Sequence, residues 1–251
     1  MISGLYTAAS GMMAVEQRQD IIANNLANAA TPGYKRLQPV QLGFYEVLSP
    51  KMISPFHFNR EAAPAGGVKG VETFANLAPG SLRITEDPLS LAVTGPGYVV
   101  VNTPQGERYT RDGHFTMDAQ GELATSEGYK VLSATGGPID VSGVKITVAQ
   151  DGTVQVDGAD SGQIQIIEFQ DPTRLEREGD NLYRASDEVV QQSGAATETA
   201  LVQGALEMSN VQLPVEMTSM MLGLRAYEAN QKVIQAIDGA TSRLIDQVAA
   251  Q

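Results

Sequence analysis

The chain of 251 residues contains no cysteine and no tryptophan, and its only histidines are His57 and His114. The absence of cysteine excludes disulfides, thiolate metal ligands and cysteine nucleophiles. Two histidines in separate segments make a His-pair metal site or a Ser-His-Asp relay hard to assemble, and we interpret His114 as a surface residue at the start of a strand. We therefore predict no catalytic residue, no metal site and no cofactor.

Long apolar runs are also missing. No stretch of about 18 residues is apolar enough to span a membrane, so we expect no membrane insertion. The N-terminus lacks the basic and apolar regions of a secretory signal peptide. The formal net charge is −12, and an acidic surface repels nucleic acid and anionic lipid alike. No glycine-rich phosphate motif precedes a helix, and we expect neither a nucleic-acid partner nor a small-molecule substrate.

Both ends of the chain have the residue spacing of helices that pack along one stripe. Apolar residues alternate at steps of three and four, which predicts two long helices, at residues 3–28 and about 214–248, packed as a coiled-coil-like pair. This spacing allows pairing within one chain or between copies. The predicted contact residues are Leu5, Met12, Ile22 and Leu26 in the first helix and Leu213, Met217, Met220, Leu224, Tyr227 and Ile234 in the second.

An asparagine-rich string and a turn end the first helix. Pro32 disfavours helical geometry at Thr31, and Pro32-Gly33 fits the two central positions of a type II turn. We predict that the chain leaves the helix at this turn. Asparagine is a poor residue for a helix interior, so we expect three asparagine side chains to make hydrogen bonds between helices. These are Asn24, Asn25 and Asn28.

The long middle of the chain has a strand-and-turn pattern. Short β-branched and aromatic runs between about residues 80 and 198 are separated by turn signals such as Arg111-Asp112-Gly113, which predicts an antiparallel β-rich domain. Residues 37–72 contain four prolines and no clear period, so we interpret them as a linker or a small irregular subdomain. We predict an α+β fold. Its parts are a discontinuous helical assembly domain (1–36 and 199–251), the 37–72 segment and an outer β-rich domain (73–198).

Three parts of the sequence, in this order, resemble the flagellar rod, hook and hook-associated axial proteins. Chain length and the compact middle favour the basal-body rod proteins within that group. The Gly137-Pro138-Ile139 step favours the proximal-rod member over the distal-rod member. The matching parts are Ala23–Lys35; then Gly80–Val93 with Gly97–Val101 and Tyr109–Phe115; and finally Gly204–Val211 with Arg225–Asn230.

This resemblance implies a structural subunit and no reaction. Members of the family polymerise helically through their terminal helices, and the resulting rod wall transmits torque and encloses the export channel. The expected partners are copies of the chain itself, other flagellar rod proteins and the flagellar type III export apparatus. The expected location is the periplasmic rod of the basal body, reached without a cleaved signal peptide.

The alternative is a secreted β-domain binding protein whose terminal helices form a small closed oligomer. A carboxylate-based hydrolase is a third possibility, but no two acidic residues form a convincing pair in the sequence. A closed oligomer and an open filament have different shapes, so electron microscopy of the concentrated protein separates the first two hypotheses.

Overall fold

The structure is a computed structural model that describes the backbone of residues 2–43 and 68–249 and the side chains of residues 7–40 and 73–243. In the described residues the helices are α1 (Ile2–Ala27), α2 (Asp187–Gln191) and α3 (Leu213–Ala249), and Pro172–Arg174 forms a 3-10 turn. The strands β1 to β18 are Leu37–Gly43, Val68–Ala75, Leu82–Ile84, Leu91–Thr94, Tyr98–Thr103, Gly106–Thr110, Phe115–Met117, Leu123–Thr125, Lys130–Val131, Ile146–Val148, Thr153–Val156, Ala159–Gln163, Ile166–Phe169, Glu176–Gly179, Leu182–Arg184, Ser193–Ala195, Ala200–Gln203 and Ala205–Glu207.

The chain forms two compact units. The helical unit comprises Met1–Ala27, Leu37–Asn76 and Val211–Gln251, and the β-rich unit comprises Asn28–Arg36 and Leu77–Asn210. The chain therefore passes between the units four times. An N-terminal helix, a β-rich middle and a C-terminal helix confirm the predicted order of elements.

In the helical unit α1 contacts both α3 and the ribbon of β1 and β2. The two strands pair antiparallel, with Leu37 opposite Ala75. Pro39 is tolerated in β1 because this strand pairs on one side only within the described sheet, and an edge strand does not need every N–H. The described ends of the 37–72 segment are thus regular strands rather than an irregular linker, and a proline-containing two-stranded ribbon leaves little periodic signal in sequence.

Helix α3 begins one residue before Pro214. Proline is favoured in the first helical turn because its missing N–H would have no intrahelical acceptor there. The long C-terminal helix predicted from about 214 to 248 therefore matches the observed span Leu213–Ala249.

The β-rich unit is built around a nine-stranded sheet. Its main path runs β14-β15-β6-β5-β9-β8-β7, and β13 pairs with both β5 and β16. Strand β5 is buried on both faces. Successive side chains of a strand point to opposite sides, and each side of β5 packs into its own core cluster. Val99 and Val101 join a core cluster that includes Phe115. Tyr98 and Val100 join a second cluster, in which the Tyr98 and Phe169 rings pack edge to face with centroids 5.7 Å apart.

Two segments that the sequence pattern placed with the terminal helices lie in the β-rich unit. Residues 28–36 form the first. The second contains β17, which pairs with β4, and β18, which pairs with β3. Gly204 joins these strands with a φ of +72°, and this left-handed residue allows the chain to change pairing partner.

Candidate assembly surface

Helices α1 and α3 lie antiparallel with close backbone approach. Gln19 Nε2 donates a hydrogen bond to the carbonyl oxygen of Met220 at 2.9 Å. Nearer the start of α1, a Cβ placed on Gly11 would lie 3.4 Å from Asn230 Nδ2. The residue numbers fall along α3 as they rise along α1, which defines the antiparallel direction.

On α1 the predicted contact stripe is largely covered. Ile22 is buried, and Met12 and Leu26 are half-buried. The intervening Ala8 is buried as well, and its small side chain suits a close helix approach. Leu5 lies in α1, but its side chain is outside the described residues.

On α3 the predicted contact residues separate into two groups. Met220 and Ile234 are half-buried. Four others are exposed, and they are Leu213 (49%), Met217 (55%), Leu224 (54%) and Tyr227 (41%). The reason is that α3 carries apolar residues on several sides, and the stripe that meets α1 runs through Met220, Gly223 and Asn230.

The exposed apolar residues of α3 other than Tyr227 form two stripes. We define stripe A as Leu213, Met217, Met221 and Leu224, and stripe B as Val215, Leu222 and Val233. Because successive helical residues are about 100° apart, the two stripes lie on different sides of the helix, and the α1-facing stripe lies between them. Exposed apolar residues grouped in this way mark an interaction surface.

The three predicted asparagines have different surroundings. Asn25 is 1% exposed and pairs with the backbone of Leu37, donating from Nδ2 to its oxygen at 2.8 Å and accepting from its N–H at 2.9 Å. This pairing attaches β1 to the last turn of α1. Asn28 Oδ1 accepts from the Thr31 hydroxyl at 3.3 Å, and Asn24 is exposed.

The predicted Thr31-Pro32-Gly33 turn belongs to the β-rich unit. Gly33 has a φ of +68°, as the second central position of a type II turn requires. Its N–H donates to the carbonyl oxygen of Glu207 at 2.8 Å. A Cβ on Gly33 would lie 2.5 Å from the carbonyl oxygen of Arg111, so only glycine fits against this backbone.

A buried ion cluster next to this turn was not anticipated from sequence. Glu207 Oε1 accepts from Lys35 Nζ at 2.6 Å and from the Gly80 N–H at 2.9 Å, while Arg111 lies 3.7 Å from Oε2. Lys35 and Glu207 are 1% and 2% exposed. Burial lowers the pKa of Lys35, although its hydrogen bond to Glu207 opposes this effect. The cluster joins three separate chain segments to β18.

The described residues contain no grouping of acidic and histidine side chains that could hold a metal ion. In that same part of the chain, no helix combines the length and apolar character needed to cross a membrane. His114 is exposed, and His57 lies outside the described residues. The distinctive chemistry of the described surface is therefore its apolar stripes.

Three family models match separate parts of the chain. Residues 5–35 match "Flagella basal body rod protein", and residues 92–156 match the "Flagellar hook protein FlgE/F/G D1 domain". Residues 202–247 match "Flagellar basal body rod FlgEFG protein C-terminal". These ranges include most of α1 and most of α3, and so both helices of the candidate assembly surface.

Curated relatives extend the similarity to almost the whole chain. The flagellar basal-body rod protein FlgG of Caulobacter vibrioides is 36% identical, covering 97% of this chain and 99% of that protein. FlgG of Bacillus subtilis is 32% identical over 98% of this chain and 99% of its own length. The flagellar basal-body rod protein FlgF of Caulobacter vibrioides is 33% identical over 93% of each chain.

Proposed function

This chain belongs to the flagellar basal-body rod protein family, and on that premise we propose that it polymerises helically through α1 and α3 to form the wall of a rod. The family is structural, so the chain is a component of the flagellar basal body and not an enzyme. Relatives carry both the FlgG and the FlgF names at similar identity, and the preference for a proximal-rod position stays a prediction.

The exposed stripes of α3 are the observation that carries this proposal. Within one chain α1 covers a single side of α3, which leaves stripes A and B in water. Complete burial of an apolar side chain of this size is worth roughly 1.5–3 kcal/mol, and about half of that gain remains because the stripe residues are 45–59% exposed. We propose that helices from other copies cover the two stripes, because α1 and α3 already pack against each other within one chain. Leu213, Met217, Leu224 and Tyr227 then form the coiled-coil-like contact between copies.

The position of the stripes favours an open filament over a closed oligomer. Stripes A and B lie on different sides of α3, so a copy bound at one stripe leaves the other free for the next copy. A repeated contact between different surfaces grows into a helix unless its rotation happens to close. The alternative is a secreted binding protein that forms a small closed oligomer. This alternative requires a ring of copies in which both stripes are buried.

Torque transmission and enclosure of the export channel follow from a helical wall of such subunits. We propose the same partners that the family resemblance implies, namely copies of this chain, other rod proteins and the type III export apparatus. We also propose a periplasmic location reached without a cleaved signal peptide. Asn24, Asn25 and Asn28 are proposed to support contacts near this wall.

The proposal is tested by placing a charged residue in stripe A. Leu224 is 54% exposed, so Leu224→Asp should leave the folded monomer and its melting temperature unchanged and still prevent polymerisation. Thr218→Asp is the matched control, because it introduces the same charge at an exposed position of α3 outside both stripes. Electron microscopy of concentrated protein, together with motility of cells that carry each variant, provides the measurement.

Normal filaments and normal motility with Leu224→Asp would overturn the proposal. Closed particles of fixed mass formed by the unmodified protein, measured by analytical ultracentrifugation, would support the closed-oligomer alternative instead.

A further inference from the structure

Gln19 is a polar side chain in the contact between α1 and α3. Its Nε2 donates to the Met220 carbonyl oxygen at 2.9 Å. Its Oε1 is buried and has no hydrogen-bond partner among the described atoms. An unpaired buried acceptor is unfavourable, and an apolar side chain of similar size would avoid that cost. Stability of the helix pair therefore does not account for the glutamine.

Gly223 lies directly opposite this carboxamide. A Cβ on Gly223 would be 2.5 Å from Gln19 Nε2 and 2.9 Å from its Cδ. The missing side chain thus makes a notch that admits the carboxamide to the backbone of α3. The other glycine of α3, Gly239, has nothing within 4 Å of an added Cβ, so close packing does not require glycine there.

The repeating three- and four-residue spacing by itself allows more than one alignment of α1 on α3. A slide of one heptad in either direction keeps apolar residues in contact but places Gln19 opposite Asn230 or Glu216 instead of Gly223. Gly223 and Gly239 are 16 residues apart, which is not a multiple of seven. No heptad slide therefore brings Gln19 to a second notch.

We propose that Gln19 and Gly223 together specify the register of α1 on α3. They are positioning residues that exclude heptad-shifted alignments, at the cost of one unpaired acceptor. Single buried polar residues select register in this way in coiled coils. The inference concerns one chain and stands independently of whether copies polymerise.

The experiment measures a distance between the two helices. The chain has no cysteine, so Gln17→Cys and Lys232→Cys give two unique labelling sites, both at exposed positions. Spin labels there are staggered by roughly 12 Å along the helix axis, taking 1.5 Å per residue. A slide of one heptad, about 10 Å, then lengthens or shortens the distance according to its direction.

Electron–electron double resonance on the full labelled chain should give one narrow distance distribution. Adding Gln19→Leu should produce a second population shifted by a heptad slide. A single unshifted distribution in this variant would overturn the proposal.

A second variant covers the possibility that Gln19→Leu disturbs folding. Gly223→Ala raises helix propensity, but its methyl group fills the notch and displaces the flexible end of Gln19. We expect the same broadening or second population from Gly223→Ala and none from the matched control Gly239→Ala. Identical distributions for these two variants would contradict the role of the notch.

Discussion

Glu207 is the residue whose side chain connects parts of the β-rich unit that are far apart in sequence. It faces two buried cations, Lys35 and Arg111, and it accepts from the backbone of Gly80. Arg111 also stacks on the Tyr98 ring at 4.9 Å. Oε1 accepts both hydrogen bonds, while Oε2 faces Arg111 but accepts no hydrogen bond among the described atoms. Either cation left without the carboxylate would be an uncompensated buried charge.

Removal of the Glu207 carboxylate alone should therefore destabilise the fold more than removal of Lys35 and Glu207 together. We expect Glu207→Leu to lower the free energy of unfolding by about 3–5 kcal/mol, because two cations lose their counter-charge. Lys35→Met combined with Glu207→Leu should lose clearly less than the sum of the single changes. Urea unfolding of the four proteins in this double-mutant cycle measures the coupling, and strict additivity would show that the two charges act separately.

Gly33 provides a second prediction for a single residue. Gly33→Ala forces a left-handed alanine, which costs on the order of 1–3 kcal/mol, and also places a methyl group against the Arg111 backbone. Gly128→Ala is the control, since Gly128 has a φ of +89° but nothing within 4 Å of an added Cβ. In thermal unfolding, Gly33→Ala should lower the melting temperature more than Gly128→Ala does. Equal decreases would mean that the Arg111 backbone moves aside for the methyl group without an energetic cost.

At the scale of elements, Glu168 on β13 holds the segment that leads into β17. Its Oε1 accepts from the Thr197 N–H at 3.1 Å, the Glu198 N–H at 2.9 Å and the Thr199 hydroxyl at 2.6 Å. Partial burial on its own raises the pKa of Glu168, but these hydrogen bonds lower it below the ordinary value of 4.5. The ionised carboxylate is thus the form that the fold stabilises.

Stability should depend on this ionisation. Because the pKa of Glu168 is lower in the folded chain, its contribution is complete above the unfolded pKa and is lost as the pH falls through the folded pKa. The difference in unfolding free energy between the unmodified protein and Glu168→Gln should shrink between about pH 7 and about pH 3. Urea titrations across this range measure it, and a difference independent of pH would contradict the assignment.

Long elements with a repeating apolar pattern were predictable from sequence. The predicted helices at 3–28 and about 214–248 match α1 and α3 to within one or two residues, and the turn at Gly33 was anticipated from Pro-Gly alone. On α1 the predicted contact residues Met12, Ile22 and Leu26 are buried or half-buried, and their role between copies stays a prediction. On α3 the same spacing selected Leu213 and Leu224, which are exposed. The helix carries several apolar stripes, and the spacing alone does not show which of them faces α1.

Contacts between residues distant in sequence were not predictable from pattern. The pairing of Asn25 with the Leu37 backbone depends on a strand that has a proline and only one neighbour. The cluster of Lys35, Arg111 and Glu207 joins residues up to 172 positions apart. The one local sign of this cluster in the sequence is Glu207, which lies among the apolar residues of β18. A carboxylate in a buried strand needs a cation as its partner.

At the scale of the whole molecule, charge is concentrated in one unit. The β-rich unit has 20 acidic and 10 basic residues, which accounts for a net charge of −10 out of −12. The helical unit is nearly neutral. Copies that associate through α1 and α3 therefore bring together acidic units that repel each other, and this repulsion opposes assembly at low ionic strength.

Polymerisation should accordingly be faster in moderate salt. Raising NaCl from about 10 mM to about 150 mM shortens the Debye length from about 30 Å to about 8 Å and strengthens assembly that depends on apolar contacts. Light scattering at fixed protein concentration measures elongation, with Leu224→Asp as the control that stays monomeric in both buffers. Slower growth in moderate salt would indicate that attraction between charges, rather than apolar burial, drives association.

The antiparallel contact of α1 with α3 also fixes the order of events during synthesis. Gln19 and Met220 are 201 residues apart, and a ribosome adding about 5–20 residues per second needs roughly 10–40 s to cover that interval. During this time every segment of the β-rich unit is completed, while α1 has no α3 to contact. The first helix to leave the ribosome is thus the last to find its partner in the chain.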